Sequence, residues 1–595
     1  MACKSWKRAS IAARCPARSC GRASIPIRWR WTRCGKGGPP IWWTHEGAWG
    51  EHVPSSPCTG HGDTRRCDGA MTTTDSYTDL DPALRTIGGL WLAALERWPD
   101  RAFLRFGEER YTVRQMHDHV LDWIATFDRA GLERGAPVAI LMRNCADYVA
   151  LLIAIGASGR VAVPINAELT GELLAYPLLD SGARLVVVDA EREAMVRSLA
   201  LEPAPVVIVA GKEADPAATP APSDAPALFA QRVRDIARSE PSTILYTSGT
   251  TGPPKGAVLP QEYFAFLGWS SASSNRFIDG DVVFVVLPLF HINAQASLFG
   301  AMLSGIEIAL EPKFSAATFW RRVRDTGATH LSLIGLIGNI LMQRPPEEFV
   351  PDHRVRMAIV IPAPDPVDAF ERRFQLEIFS NAYGMTEAPV CPPGRCTQMS
   401  RPGFIGQAMD YYDVALADDD DQLLGTEQVG EIVVRPRLPN IMFHEYLGRP
   451  EATVAAWRNL WFHTGDLARR DINGDYWFVG RKKECIRRRG ENIAPIQIEN
   501  VVLKLPGLVE AAAVAVPAKL GEDEIKLVVA LRDGANLAPD AIWRACAEGL
   551  PRHMWPAYVE IVPHLPKNAS HRVMRDQLAG LGGPGVWAAT TEAAR

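Results

Sequence analysis

From about residue 80 onward, short apolar runs alternate with segments of helical period, and this alternation narrows the possible folds more than any other property of the chain. Leu84, Ile87, Trp91 and Leu95 recur at intervals of three and four, the period of one helix face. Strands are then expected at 102–106 and 109–112, a helix at 112–130, a strand at 138–142, a helix at 147–156, a strand at 161–164, a helix at 168–181 and a strand at 184–189. Residues 211–227 are rich in Ala, Pro and Asp and read as a linker loop. The alternation resumes with strand 281–287, helix 293–303, strand 307–310, helix 315–326, strand 358–361 and helix 366–374. Strands separated by helices pair in parallel through crossovers, and helices then cover both faces of the sheet. The expected fold class is α/β, with a large N-terminal domain of parallel-rich sheets. After residue 430 strands and turns dominate (431–435, 465–471 and 476–479), which predicts a smaller β-rich subdomain. A fresh mixed segment follows, with helices at 496–504 and 540–549 and strands at 509–516 and 526–531. The domain boundary is placed at 480–483, giving an N-terminal domain over 71–480 and a small α+β domain over 481–595.

A chain of 595 residues is too long for one core. Hydrophobic content of 47%, charged content of 22% and a net charge of −4 are ordinary for a globular protein and give no basic excess for nucleic acid. The longest uncharged stretch, 282–306, contains Pro288, His291, Asn293 and Gln295, so no integral membrane segment is expected. The first 70 residues are different: they hold 12 Lys/Arg against 4 Asp/Glu and 6 of the 11 cysteines, with no helix or strand period. They read as a non-native or disordered extension ahead of Met71. The later cysteines, Cys145, Cys391, Cys396, Cys485 and Cys546, are scattered, as suits a reducing cytoplasm.

Residues 242–256 read S-T-I-L-Y-T-S-G-T-T-G-P-P-K-G. A short apolar run, 244–246, leads into a loop of hydroxyls and glycines: Thr247, Ser248, Gly249, Thr250, Thr251 and Gly252. Such a loop can aim several N–H groups and hydroxyls at one anion, and glycine removes the Cβ that would block its approach. Lys255 adds a mobile positive charge. The natural guest is a phosphate, although the spacing is not that of a Walker A loop. The bland alternative is a surface turn between two strands.

Further motifs follow in order. Residues 287–291 read L-P-L-F-H, and residues 381–387 read N-A-Y-G-M-T-E. In the second, Gly384 permits a tight turn, Thr386 offers a hydroxyl, Glu387 offers a carboxylate of the kind that suits a hard cation, and Tyr383 presents a flat aromatic face. Residues 463–466 read H-T-G-D, with Arg481 fifteen residues on; one carboxylate there can accept hydrogen bonds from both ribose hydroxyls. Residues 480–499 open with six basic residues between Arg481 and Arg489, ordinarily a solvated face. Residues 565–573 read L-P-K-N-A-S-H-R-V.

The string T-S-G-T-T-G-x-P-K-G, followed by these stretches in this order, resembles the adenylate-forming superfamily over roughly residues 87–578. Within it, the likeness is to AMP-forming acyl-CoA synthetases of the carnitine-CoA and fatty-acid-CoA ligase kind. The resemblance implies ATP, Mg2+ and coenzyme A as partners of a small carboxylic acid, and it is compatible with a homodimer. It implies that 247–252 and Lys255 hold phosphate, Thr386 and Glu387 serve the phosphates and metal, and Tyr383 and Gly384 line the adenine side. It gives Asp466 and Arg481 to the ribose, His291 to the acyl pocket, Lys483 to a hinge and Gly490 to the pantetheine path. Relatives commonly read L-P-K-T-x-S-G-K where this chain has His571 and Arg572; the positive charge survives in Arg572, which is expected to contact carboxylate and α-phosphate. Arg489 replaces the first of two glycines beside Gly490. Two other functions fit the same residues: transfer to a carrier-protein thiol, and a nucleotide- or acyl-binding protein that has lost catalysis. The acyl pocket walls expected around 290–299, 331–340 and 378–382 mix apolar and small residues, which suits an aliphatic or small acid better than a dianion.

Overall fold

A computed structural model of the chain describes residues 76–211, 225–247, 253–364, 366–379, 382–391, 403–484, 486–488, 491–493, 495–517, 523–567, 573–580 and 585–589. The expected extension over 1–70 lies outside them, as do the loop residues Ser248, Gly249, Thr250, Thr251 and Gly252, the glycine Gly490, and His571 and Arg572.

Two seven-stranded sheets form the larger part. In one, Pro137–Leu141 is flanked by Val161–Pro164 and Leu185–Val188, and Leu185–Val188 is followed outward by Val206–Val209, all parallel. On the other side Pro241–Thr247 joins Val161–Pro164 in parallel, then Lys255–Pro260 and the two-residue strand Glu445–Tyr446 add in antiparallel sense. The second sheet runs Glu377–Phe379, Met357–Ile361, His330–Ile334, Val282–Val285, Glu307–Leu310 and Ala102–Phe106 in parallel, ending in an antiparallel hairpin with Glu109–Thr112.

Period-2 alternation assigns each face of the first sheet. Val138, Ile140, Leu185 and Val187 join the main core, whereas Ala139, Leu141, Val186 and Val188 join a second cluster on the opposite face. Both faces are therefore buried, as a sheet with helical crossovers requires. The main core continues through the helices Ile87–Arg97, Ala146–Ala157, Gln261–Asn275 and Ile292–Ser304 to the second sheet. Gln261–Asn275 and Ile292–Ser304 pack closely because Gly268 leaves room: a Cβ there would lie 2.8 Å from the Phe299 carbonyl oxygen.

Five antiparallel strands, ordered Phe404–Gly406, Tyr476–Arg481, Phe462–Arg470, Val429–Pro436 and Tyr412–Ala417, form the expected β-rich subdomain. Beyond it, a four-stranded sheet (Leu508–Pro517, Asp523–Leu531, Tyr558–Val562, Val586–Ala588) has clusters of its own on its two faces. The helices Pro495–Val502 and Pro539–Gly549 cover one face through Ile498, Val502, Ile542 and Cys546.

Several elements depart from the sequence reading. The expected linker 211–227 lies largely outside the described residues, and its last three belong to the helix Ala225–Arg234. The strand Lys255–Pro260, the helix Gln261–Asn275, the strand His330–Ile334 and the helix Gly335–Gln343 were not expected. Among the described residues no helix is long and apolar enough to cross a membrane.

Candidate active site

The hydroxyl-rich loop joins two neighbouring strands, and its ends are fixed by their ladder. Thr247 closes Pro241–Thr247, Lys255 opens Lys255–Pro260, and the two residues are register partners. The two residues that bracket 248–254 stand beside a carboxylate. The Thr247 hydroxyl lies 3.4 Å from both the Lys255 carbonyl and Glu387 Oε1.

Glu387 owes its place to a tight hairpin. Tyr383–Met385 pairs with Ala388–Cys391, Met385 opposite Ala388, so Thr386 and Glu387 form the turn. The tight turn therefore falls at Thr386–Glu387 and not at Gly384, which lies in the strand. The Thr386 carbonyl accepts a hydrogen bond from Tyr263 Oη at 2.9 Å, which ties the turn to the buried helix Gln261–Asn275. The Glu387 carbonyl accepts from the Phe443 N–H at 3.0 Å. The Glu387 side chain is only 4% exposed. Burial raises its pKa; the Tyr446 hydroxyl at 2.8 Å, the Thr247 hydroxyl and the Lys255 charge oppose that rise. Lys255 Nζ lies over the Tyr446 ring, 4.8 Å from its centre.

At the other end of the same segment, Tyr383 Oη donates to Asp466 Oδ2 at 2.7 Å. Asp466 and Arg481 face each other across neighbouring antiparallel strands, and Arg481 Nε lies 3.2 Å from Asp466 Oδ1. Residues 383–387 thus touch both the Thr247–Lys255 end and the Asp466–Arg481 end. Lys483 lies in the short turn Lys482–Glu484, directly after Arg481. Its neighbour Lys482 bonds to Glu431 at 3.0 Å and Asp419 at 2.9 Å.

His291 caps the helix Ile292–Ser304 six residues beyond the strand Val282–Val285. It is exposed to water, yet surrounding protein desolvates the imidazole and holds its pKa below the ordinary value. His291, the exposed apolar Ile334 and Leu336, and Tyr383 lie at or beyond the carboxyl ends of Val282–Val285, His330–Ile334 and Glu377–Phe379, parallel strands of the second sheet, where open α/β sheets form their crevice.

Tyr263 and Tyr446 escaped the sequence reading, because neither belongs to a chemistry-bearing motif of its own. The residues present fit the groups that the chemistry needs. A single buried carboxylate suits Mg2+, which takes one or two protein carboxylates and completes its shell with phosphate and water. Among the described residues no group of three His, Cys, Asp or Glu able to hold a metal occurs. Among those residues Lys255 has no carboxylate partner within salt-bridge distance; its Nζ lies over the Tyr446 ring. The Asp466 carboxylate accepts a hydrogen bond from Tyr383 and pairs with Arg481.

Among solved structures, an o-succinylbenzoate–CoA synthetase from Bacillus subtilis in complex with ATP and magnesium ion has a TM-score of 0.70 at 24% identity, covering 82% of this chain and 98% of that one. ATP-bound MatB from Rhodopseudomonas palustris has a TM-score of 0.71 at 22% identity, over 83% of this chain and 98% of that one. Both share its fold. A crotonobetaine/carnitine–CoA ligase from Shigella dysenteriae is 30% identical over 482 residues, covering 79% of this chain and 93% of that protein. Residues 91–447 match the AMP-binding enzyme family and residues 497–572 match the AMP-binding enzyme C-terminal domain, a match that ends on Arg572. The chain belongs to the AMP-binding enzyme family, and with it to the AMP-forming acid–thiol ligases.

Proposed function

We propose that this chain adenylates an uncharged aliphatic or small monocarboxylic acid and passes the acyl group to coenzyme A, using the residues joined by Tyr383–Glu387. One observation carries the proposal: a single five-residue segment contacts both the Thr247–Lys255 pair and Asp466. A nucleotide held by its sugar at one end and its phosphates at the other fits that layout.

In the first step a carboxylate oxygen of the acid attacks the α-phosphorus of ATP. The new P–O bond forms as the bond to pyrophosphate breaks. In the second, the thiolate sulfur of coenzyme A attacks the acyl carbonyl, and the C–O bond to AMP breaks. No protein nucleophile is required, so the chain acts by positioning and charge. Mg2+, when bound, neutralises phosphate charge and polarises phosphoryl oxygens. Glu387 supplies it an oxygen ligand, Thr386 offers a hydroxyl to the phosphates, and Lys255 neutralises them. Asp466 accepts the ribose hydroxyls with Arg481 beside it, and Tyr383 and Gly384 line the adenine. His291 stands on the acyl side. Exposed Ile334 and Leu336 support an apolar acyl group, for they would leave a dianion without partners.

Residues 481–595 are proposed to act as a separate mobile domain turning at Lys483, bringing Arg572 to the first step and the Gly490 loop to the second. Its independent apolar clusters support that reading. So does the anchoring of residues bracketing 568–572: Lys567 and Val573 form a bridge, Lys567 pairs with Glu510, and Arg575 pairs with Glu499. The scattered later cysteines fit a reducing, cytoplasmic setting, which we propose for this chain.

Pyrophosphate release from ATP across a panel of monocarboxylic acids tests the first step. Thioester formation with coenzyme A, set against a carrier-protein thiol, tests the second. An acid-dependent burst followed by acyl-CoA is expected; neither product across the panel overturns the proposal.

A further inference from the structure

Glu387 and Lys255 belong to one cluster, yet among the described residues neither takes part in a salt bridge. Opposite charges in a buried site attract strongly. Left to themselves they would close on each other, and each would then be less available to a ligand. Tyr446 stands against both. Its ring face lies under Lys255 Nζ, and its hydroxyl donates to Glu387 Oε1 at 2.8 Å. Both hydroxyls near the carboxylate, from Tyr446 and Thr247, reach Oε1. Oε2 carries no side-chain hydrogen bond among the described residues. Tyr446 is itself fixed: it is 7% exposed, pairs with Ala257 at the sheet edge, and donates its N–H to Thr453 Oγ1 at 3.0 Å.

The geometry points to Tyr446 as a positioning residue that holds Glu387 by its hydroxyl and Lys255 by its ring, keeping Oε2 turned to Mg2+ and the ammonium turned to phosphate. This rests on the assignment of Glu387 to Mg2+ and Lys255 to phosphate. A residue that orients a metal ligand is felt in metal affinity, typically by tenfold or more. The ring–ammonium contact separates the two halves of the role, because Phe keeps it and Leu does not.

Calorimetric binding of ATP with and without Mg2+, and of AMP without metal, tests the role without recourse to turnover. Tyr446→Phe is expected to weaken ATP binding in Mg2+ by about tenfold while leaving metal-free ATP and AMP binding unchanged. Tyr446→Leu is expected to weaken metal-free ATP binding as well, since Lys255 loses its seat. Thermal melting confirms that each variant is folded. Wild-type binding of ATP in Mg2+ by Tyr446→Phe overturns the inference, as does an equal loss for AMP, which marks a merely structural residue. Glu387→Gln separates the two levels: if it leaves the Mg2+ dependence of ATP binding intact, the assignment of Glu387 fails; if it removes that dependence and Tyr446→Phe does not weaken it, only the role of Tyr446 fails.

Discussion

Asp466→Asn is the substitution with the most to say about the nucleotide. Asp466 is 5% exposed and bonded to Tyr383 Oη at 2.7 Å and Arg481 Nε at 3.2 Å. Asn keeps the shape and one acceptor oxygen. That oxygen can take the Tyr383 proton, but the amide nitrogen then faces the Arg481 guanidinium, donor against donor. The charge-assisted bonds to two ribose hydroxyls are lost or reduced to neutral ones. A hydrogen bond to a charged group contributes about 1.5–3 kcal/mol, so losing the equivalent of one weakens nucleotide binding by roughly 10- to 150-fold. Fold stability should change little, because the Arg481 side chain is 42% exposed and solvent screens the pair. The assay is calorimetric binding of AMP and 2′-deoxy-AMP to both proteins, with melting curves as control. The parent is expected to prefer the ribonucleotide strongly, and the variant to bind both weakly and nearly alike. A parent that binds the two equally, or a variant that keeps the full preference, would refute the placement of ribose at Asp466.

Glu387→Gln is expected to lower kcat/KM for ATP on the order of a hundredfold, with part of the loss recovered at high Mg2+ in steady-state assays. Arg572→Ala should slow acid-dependent pyrophosphate release by about a hundredfold while sparing thioester formation from preformed acyl-adenylate; equal loss in both steps would contradict its role in the first. Gly268→Ala places a methyl 2.8 Å from the Phe299 carbonyl and should cost about 1–3 kcal/mol, read from the urea midpoint. Burial alone would raise the Glu431 pKa, but hydrogen bonds from Lys482 and His463, the Lys482 charge and the Gly465 N–H hold it below the usual value. Its contribution to stability is therefore complete above the ordinary glutamate pKa and is lost as pH falls through the folded-state value. The stability gap between the parent and Glu431→Gln should accordingly close on acidification; a gap that widens in acid would contradict the sign.

In the first sheet the strands at 138–142, 161–164 and 184–189 were readable because each is a short apolar run between segments of helical period, whereas Val206–Val209, Lys255–Pro260 and Glu445–Tyr446 were not. Nor was the helix Gln261–Asn275, and the reason is its burial. Tyr263, Phe264, Phe266, Leu267 and Trp269 are covered on all sides, so the segment has no polar face and shows no stripe. The strand Lys255–Pro260 follows directly in sequence on the turn-type residues Gly252, Pro253 and Pro254 and contains Gly256, so nothing marks its start. Lys255, Glu387, Asp466 and Arg481 were legible because each carries chemistry within a recognisable string. Tyr446 was not: F-H-E-Y-L-G has no spacing that announces a role, and the residue matters only because a two-residue strand adds to a distant sheet edge. Tyr263 likewise reaches Thr386 across 123 positions of sequence, a distance no local pattern encodes.

The hairpin that carries Tyr383, Thr386 and Glu387 acts as a ruler with covalent gradations. Its four peptide steps limit the separation of the Tyr383 and Glu387 α-carbons to about 14 Å of contour. Loops elsewhere can lengthen or shorten without moving one end against the other. A single residue inserted between positions 383 and 387 would shift both ends out of register at once, and no neighbouring side chain could restore the spacing.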